Sequence, residues 1–254
     1  MIDTHSISLW SDDPAFETEI QHYAKTLGIM ISDAAELIVE RLTDRWQLRG
    51  NFEGAPGVVS IDFCDDKTLW RLKNPGTGKQ PLASAIGIKK SHRPTVLDCT
   101  AGLGKDAFLL ATLGSQVYLT ERHPVVHLLL EDGLTRAQQH PSLAPIFKHN
   151  MQLTGDTLDD ARAKLPEAPD VIYMDPMYPK PHHKKTAQVK KEMQLLRYLV
   201  GPDDDADQWL QKARNWSEKV VVKRPNWAEP LATDIHSSVK GKNHRYDIYR
   251  GVSG

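Results

Sequence analysis

From Thr95 to Glu121 the sequence spells strand, glycine turn, helix, strand, and no other feature limits the fold as much. "TVLDCT" is a short apolar run that reaches Asp98 and enters a turn holding Gly102 and Gly104. "KDAFLLATLG" then spaces its apolar residues for a helix that Gly114 closes, and "QVYLTE" is a second strand ending on Glu121. Pro124 opens a further helix toward His140. "VIYMD" and "KVVVKRP" are later strands, and "YDIYRG" is expected to be a terminal edge strand. Short β-rich runs alternating with helices imply an α/β fold with a doubly wound, mainly parallel sheet. Such sheets take ligands at the carboxyl ends of their strands, where Asp98, Glu121 and Asp175 fall.

The beginning of the chain follows another pattern. "SISLW" alternates like a strand, Asp12 or Asp13 can cap a helix with Pro14 in its first turn, and Gly28 ends the apolar stripe that follows. "LIVERL" and "RWQLRG" flank Thr43-Asp44, while "GVVSIDF" and "TLWRLK" flank Asp65-Asp66; both pairs are expected to be antiparallel hairpins. Proline and glycine cluster in "NPGTGKQP", which makes it the expected linker. The expected organisation is a small N-terminal α+β subdomain over residues 1–75 and a larger domain over 76–254. A chain of 254 residues, 40% of them hydrophobic, has enough apolar material for both. No apolar stretch reaches the length of a membrane span, and "MIDTHSISLWSDDPAF" lacks the basic start and apolar core of a signal peptide. The expectation is a cytoplasmic protein without a membrane partner. Two cysteines, one adjacent histidine pair and no HExxH spacing predict no metal site. A net charge of −1 argues against a uniformly basic coat, so any anionic partner must meet a local patch.

The glycine turn suggests a cofactor. Gly102 and Gly104 let backbone approach a ligand with no Cβ in the way. Seventeen residues past Gly104, Glu121 ends the next strand, where an ionised carboxylate can accept both hydrogen bonds of a ribose diol. In "LTGDT", the Asp156 carboxylate or nearby backbone could read an adenine edge. A nicotinamide dinucleotide would want the third position of G-x-G-x-x-G, which is Ala107 here. Asp98 and Asp106 would crowd a pyrophosphate with acids, and they suit a cationic sulfonium with an amino-acid tail better. S-adenosylmethionine (SAM) is the favoured cofactor.

"DCTAGLGKDAF", "ER" at Glu121-Arg122 and "YMDPMYP" together resemble class I, Rossmann-like SAM-dependent methyltransferases. More narrowly, with "AIGIKK" and "VVVKRP", they are similar to the RsmJ family, which methylates N2 of a guanine in bacterial 16S ribosomal RNA. The resemblance runs from about Gly57 to the C-terminus. It implies a substrate of 16S rRNA or the small ribosomal subunit. It also implies cofactor contacts from Lys105, Asp106, Glu121, Arg122, Asp156, Thr157 and Asp175, beside Asp98, Gly102 and Gly104.

Amino-group methyltransferases commonly carry Asn/Asp-Pro-Pro-Tyr/Phe after the fourth strand, and Asp175-Pro176-Met177-Tyr178 resembles that motif with Met177 in place of the second proline. An amine conjugated to a ring is a poor nucleophile because its lone pair is delocalised. An oxygen of Asp175, aided by the Pro176 carbonyl, can bind the amine hydrogens and aim the lone pair. Proline stiffens the turn, and Tyr178 can stack on the base. Lys180, His182, His183, Lys184, Lys185, Lys190 and Lys191 follow at once with no acid among residues 180–191, as an RNA phosphate site would require. Two alternatives stay open on the residues alone: a DNA adenine or cytosine amine methyltransferase, and a non-catalytic RNA-binding protein with the same fold.

Overall fold

The computed structural model describes residues 7–52, 55–74, 80–178 and 191–252. In chain order it begins with β1 (Ile7–Trp10), α1 (Glu17–Leu27), β2 (Met30–Ile31), β3 (Leu37–Arg41), β4 (Trp46–Phe52) and β5 (Ala55–Val59). Then come α2 (Asp66–Lys73), α3 (Pro81–Ile86), β6 (Val96–Asp98), α4 (Lys105–Thr112), β7 (Val117–Thr120), α5 (Pro124–Gln139) and α6 (Ala144–His149). β8 (Met151–Gly155), α7 (Leu158–Lys164), β9 (Val171–Met174), α8 (Lys191–Val200) and α9 (Ala206–Arg214) follow. β10 (Lys219–Pro225), β11 (Ser237–Lys240) and β12 (His244–Arg250) close the order.

The chain divides into two compact units, each discontinuous in sequence. The first comprises residues 1–62, 123–133 and 177–202. Its sheet has the order β2-β1-β3-β4-β5. β1 runs parallel to β2 and β3, whereas β3–β4 and β4–β5 are antiparallel, so the hairpin expected around Thr43-Asp44 is present. Asp13 caps the short 3₁₀ turn that leads into α1, and Gly28 ends α1 in the left-handed region. Glu19 on α1 ties that helix to the sheet by accepting from Arg41 Nε (3.2 Å) and Trp46 Nε1 (3.1 Å). Leu37, Val39 and Leu48 of this sheet are fully buried.

The second unit comprises residues 63–122, 134–176 and 203–254. Its seven strands, counted among the described residues, lie in the order β11-β12-β10-β9-β6-β7-β8. The pairs β10–β9, β9–β6, β6–β7 and β7–β8 are parallel, and β12 is antiparallel to both β10 and β11. This is the expected doubly wound, mainly parallel sheet. Its order reverses beside β6, which opens a crevice at the carboxyl ends of β6, β7 and β9. Leu97, Ile172, Met174, Val220 and Val222 of the central strands pack with Ala161 of α7 and Leu210 and Ala213 of α9 in one core.

Two expectations fail. "TLWRLK" is no hairpin strand: it lies in α2, and β5 pairs with β4 alone among the described strands. Asp65 accepts from the Thr68 amide at 2.6 Å, an N-cap that satisfies a helix donor and outweighs the apolar/polar alternation of Trp70, Arg71, Leu72 and Lys73. "YDIYRG" is not at the edge either, because β11 covers β12. The covering strand is short and mostly exposed, as edge strands tend to be.

Candidate active site

The crevice is built from three strand ends. β6 delivers Asp98, which is buried and accepts from the Thr100 amide at 3.1 Å. Burial pushes the Asp98 carboxyl up to about 8, and the Thr100 amide only partly opposes that. A cation bound beside it would favour the ionised form. Thr100 also accepts, through Oγ1, the Asp175 amide at 2.6 Å, so the turn after β6 holds the end of β9.

Gly102 (φ 52°) and Gly104 (φ 68°) both lie in the left-handed region that a side chain would strain. Gly104 is also the N-cap of α4. The Gly102 amide donates to Glu121 Oε2 at 2.8 Å, which links the glycine turn to the end of β7. Glu121 is buried at the end of β7. Lys105, the first residue of α4, is exposed.

A cavity of about 230 Å³ adjoins this edge and is lined in part by Cys99, Arg122, Asp156, Leu158 and Trp209. The Arg122 guanidinium lies 4.2 Å from the centre of the Trp209 ring and is paired with Asp203 and Asp205. Thr157 also lines the cavity, yet its hydroxyl works as the N-cap of α7 in a reciprocal capping box with Asp160. Asp160 Oδ2 also takes the amides of Asp156 and Thr157 (3.2 and 2.9 Å). Backbone at this point therefore supports α7.

At the carboxyl end of β9 the structure adds groups to which the sequence assigns no role. Lys223 Nζ on β10 donates to Asp175 Oδ2 at 2.7 Å and to Asp106 Oδ2 at 2.9 Å. Tyr173 on β9 donates its hydroxyl to the same Asp106 oxygen at 2.6 Å. Burial and then the two carboxylates set the Lys223 balance, and the net direction is upward, so this amine is a cation. Asp175 is pulled both ways: burial raises its pKa, while Lys223 is the main influence lowering it. His244 and Tyr246 of β12 act on the same cluster, and His244 Nε2 is 3.0 Å from the Tyr246 hydroxyl. A lysine inside "VVVKRP" is the one signal that could have pointed here, since a cation in a central strand demands acid partners.

Asp98, Asp175 and Asp106 are thus linked through Thr100 and Lys223, while Gly102 and Glu121 are joined by a direct bond of their own. Pro176 is buried beside Asp175 in sequence, and Tyr178 is half-buried. Lys180, His182, His183, Lys184, Lys185 and Lys190 lie outside the described residues, and Lys191 opens α8. Among the described residues no three His, Cys, Asp or Glu side chains are grouped to hold a metal, and no helix is long and apolar enough to cross a membrane.

The residues present fit a cationic methyl donor: two turn glycines, a buried acid beside them and another at the next strand end. Residues 22–251 match the family model described as "Putative SAM-dependent methyltransferase". Ribosomal RNA small subunit methyltransferase J of Serratia proteamaculans is 40% identical over 249 residues, spanning 97% of this chain and all of that protein. The protein of the same name from Haemophilus influenzae is 44% identical over 228 residues, 89% of this chain and 88% of its own length. In three dimensions, a SAM-dependent methyltransferase from Neisseria gonorrhoeae superposes with a TM-score of 0.71 at 29% identity, covering 98% of this chain and 97% of that one. Matches of this length and identity, on a sheet whose strand ends carry the expected acids and glycines, place the chain in the SAM-dependent methyltransferase family, among the ribosomal RNA small subunit methyltransferases J.

Proposed function

We infer that this protein methylates the exocyclic N2 amine of a guanosine in 16S ribosomal RNA. The observation that carries the reading is the Lys223-bridged pair of Asp175 and Asp106 beside the glycine turn of a chain in this family. The relatives' names support the small-subunit RNA, and the Asp-Pro-Met-Tyr motif supports an amine as the acceptor. No observation favours a DNA substrate or a non-catalytic role.

SAM, when bound, supplies an electrophilic methyl group, and Gly102, Gly104, Asp98, Glu121, Arg122 and Asp156 are the residues that would hold it. Asp175 has the harder task. A carboxylate has about four lone-pair sites, so it can accept an amine N–H while Lys223 occupies part of one oxygen. That bond turns the delocalised lone pair toward the methyl and stabilises the positive charge that develops on nitrogen. The proton passes to solvent after the transfer, so Asp175 has to be ionised rather than strongly basic. Tyr178 keeps the role of stacking platform on the strength of the motif's order.

Lys223→Met is expected to move the acid limb of the pH–rate profile to higher pH. Burial raises the Asp175 pKa and Lys223 opposes it, so loss of the cation lets the pKa climb. Activity is present above that pKa and disappears as pH falls through it; the disappearance then begins at higher pH. Lys223→Arg keeps a cation and should restore most of the profile. An unchanged acid limb in a folded Lys223→Met protein would separate Lys223 from Asp175.

The lysine run should govern salt dependence. If Lys184, Lys185, Lys190 and Lys191 meet single-stranded backbone, replacing all four with Ala lowers the slope of log K against log salt by roughly 0.7 for each phosphate no longer neutralised. SAM affinity should hold, and an unaltered slope would make the run ordinary solvated charge. The reading as a whole is tested by incubating the protein with labelled SAM and undermodified small subunits, followed by nucleoside mass spectrometry. Label in N2-methylguanosine supports it, and label in any other nucleoside, or none, refutes it.

A further inference from the structure

We propose that Trp227 and the β11–β12 turn form a docking surface for the single-stranded RNA next to the target nucleotide. The proposal rests on the RNA-methyltransferase reading above. Strand register brings the surface to the reacting end of the sheet. β10 pairs with β9 through Val222 and Met174, so Lys223 is level with Asp175, and Pro225 pairs with His244 across to β12. Trp227 is four residues past Lys223, at most about 14 Å of extended chain. The loop after β10 and the turn before β12 thus share one rim with Asp175.

That loop is built to hold its shape. Arg245 is paired with the fully buried Asp247 and donates to three loop carbonyls: Pro225 (3.0 Å), Asn226 (3.3 Å) and Ala228 (2.7 Å). The Asn226 amide and side chain bond the Asn243 and Lys242 carbonyls of the neighbouring turn. Ala228, pinned in this way, is buried, yet Trp227 beside it is 50% exposed. A loop anchored through a buried ion pair therefore presents an indole to solvent from backbone that is already fixed.

The surroundings have the charge that a nucleic acid calls for. Lys240, Lys242 and Asn243 are exposed and His244 is half-buried, with no acid from Ile235 to Arg245. Asp234 is held by Arg214, which leaves Glu229 as the acid nearest in sequence to Trp227. An exposed indole on a loop bonded to a lysine-bearing turn matches how single strands are bound without sequence readout: bases stack on an aromatic face and phosphates meet cations.

The test measures binding of a labelled, mixed-sequence oligoribonucleotide and single-turnover methylation of undermodified small subunits. Trp227→Ala should weaken RNA binding about 10-fold or more, within the range for loss of one stacked base. Trp227→Phe should retain most of it. Lys240→Gln with Lys242→Gln should lower the salt slope by about 1.4, or roughly 0.7 for each cation. SAM affinity and thermal midpoint should stay at wild-type values in all three. Wild-type affinity in Trp227→Ala overturns the proposal, as does a Trp227→Phe protein as weak as Trp227→Ala. An unmoved oligoribonucleotide affinity with weaker subunit binding would also overturn it, assigning the surface to a ribosomal protein. Failure of the wild-type protein to methylate the subunits would instead count against the parent reading.

Discussion

Asp175→Ala is expected to slow single-turnover methyl transfer by about 100-fold or more at saturating SAM, the scale seen when one preorganised electrostatic partner is removed. The structure makes this a clean experiment. The Asp175 amide, not its side chain, bonds Thr100 Oγ1, so the turn between β9 and Pro176 keeps its anchor in the variant. Lys223 keeps Asp106 as a partner, so no cation is stranded. RNA affinity should change little, because phosphate contacts dominate it. Asp175→Asn separates acceptance from charge. Its amide oxygen can still take an N–H, but it does not match the positive charge growing on the amine, so its rate should fall between wild type and Ala. A folded, SAM-saturated Asp175→Ala protein at the wild-type rate would end the assignment.

The parts of this molecule that could be read in the sequence are those encoded locally. β6, α4 and β7 each carry their own periodicity, and their glycines and terminal acids lie within one continuous stretch. That is why the crevice could be located without coordinates. Lys223 shows the opposite case. It stands 48 residues from Asp175 and 117 from Asp106, and a lysine in a strand carries no information about which acid will meet it. Only the register of β10 against β9 brings them together. Tyr173 is visible as a strand aromatic, but its hydroxyl bond to Asp106 depends on where the first turn of α4 lies in three dimensions. α2 departs from the expected strand for a third reason: Trp70, Arg71, Leu72 and Lys73 alternate as in a strand, and one capping carboxylate, Asp65, favours helix. β11 carries no signal in the sequence because an exposed edge strand has no buried face to impose a pattern.

Glu121→Ala is expected to weaken SAM by about 1.5–3 kcal/mol, the range for hydrogen bonds to a charged group, or roughly 10- to 150-fold in Kd. The structure gives the substitution two consequences that must be told apart. The ribose-diol acceptor is lost, and the Gly102 amide loses the oxygen it bonds at 2.8 Å. A looser glycine turn would itself lower affinity even if Glu121 never touched the cofactor. Glu121→Gln distinguishes these cases. Its amide oxygen can keep the Gly102 bond, while its NH₂ group and lack of charge make it a poorer partner for two donating hydroxyls. Titration calorimetry on folded protein then reads the answer. If Gln is nearly as weak as Ala, Glu121 acts on the ligand. If Gln binds like wild type, its work is to shape the turn. If both variants bind like wild type, Glu121 leaves the cofactor site altogether, and the end of β7 loses the feature that first marked it.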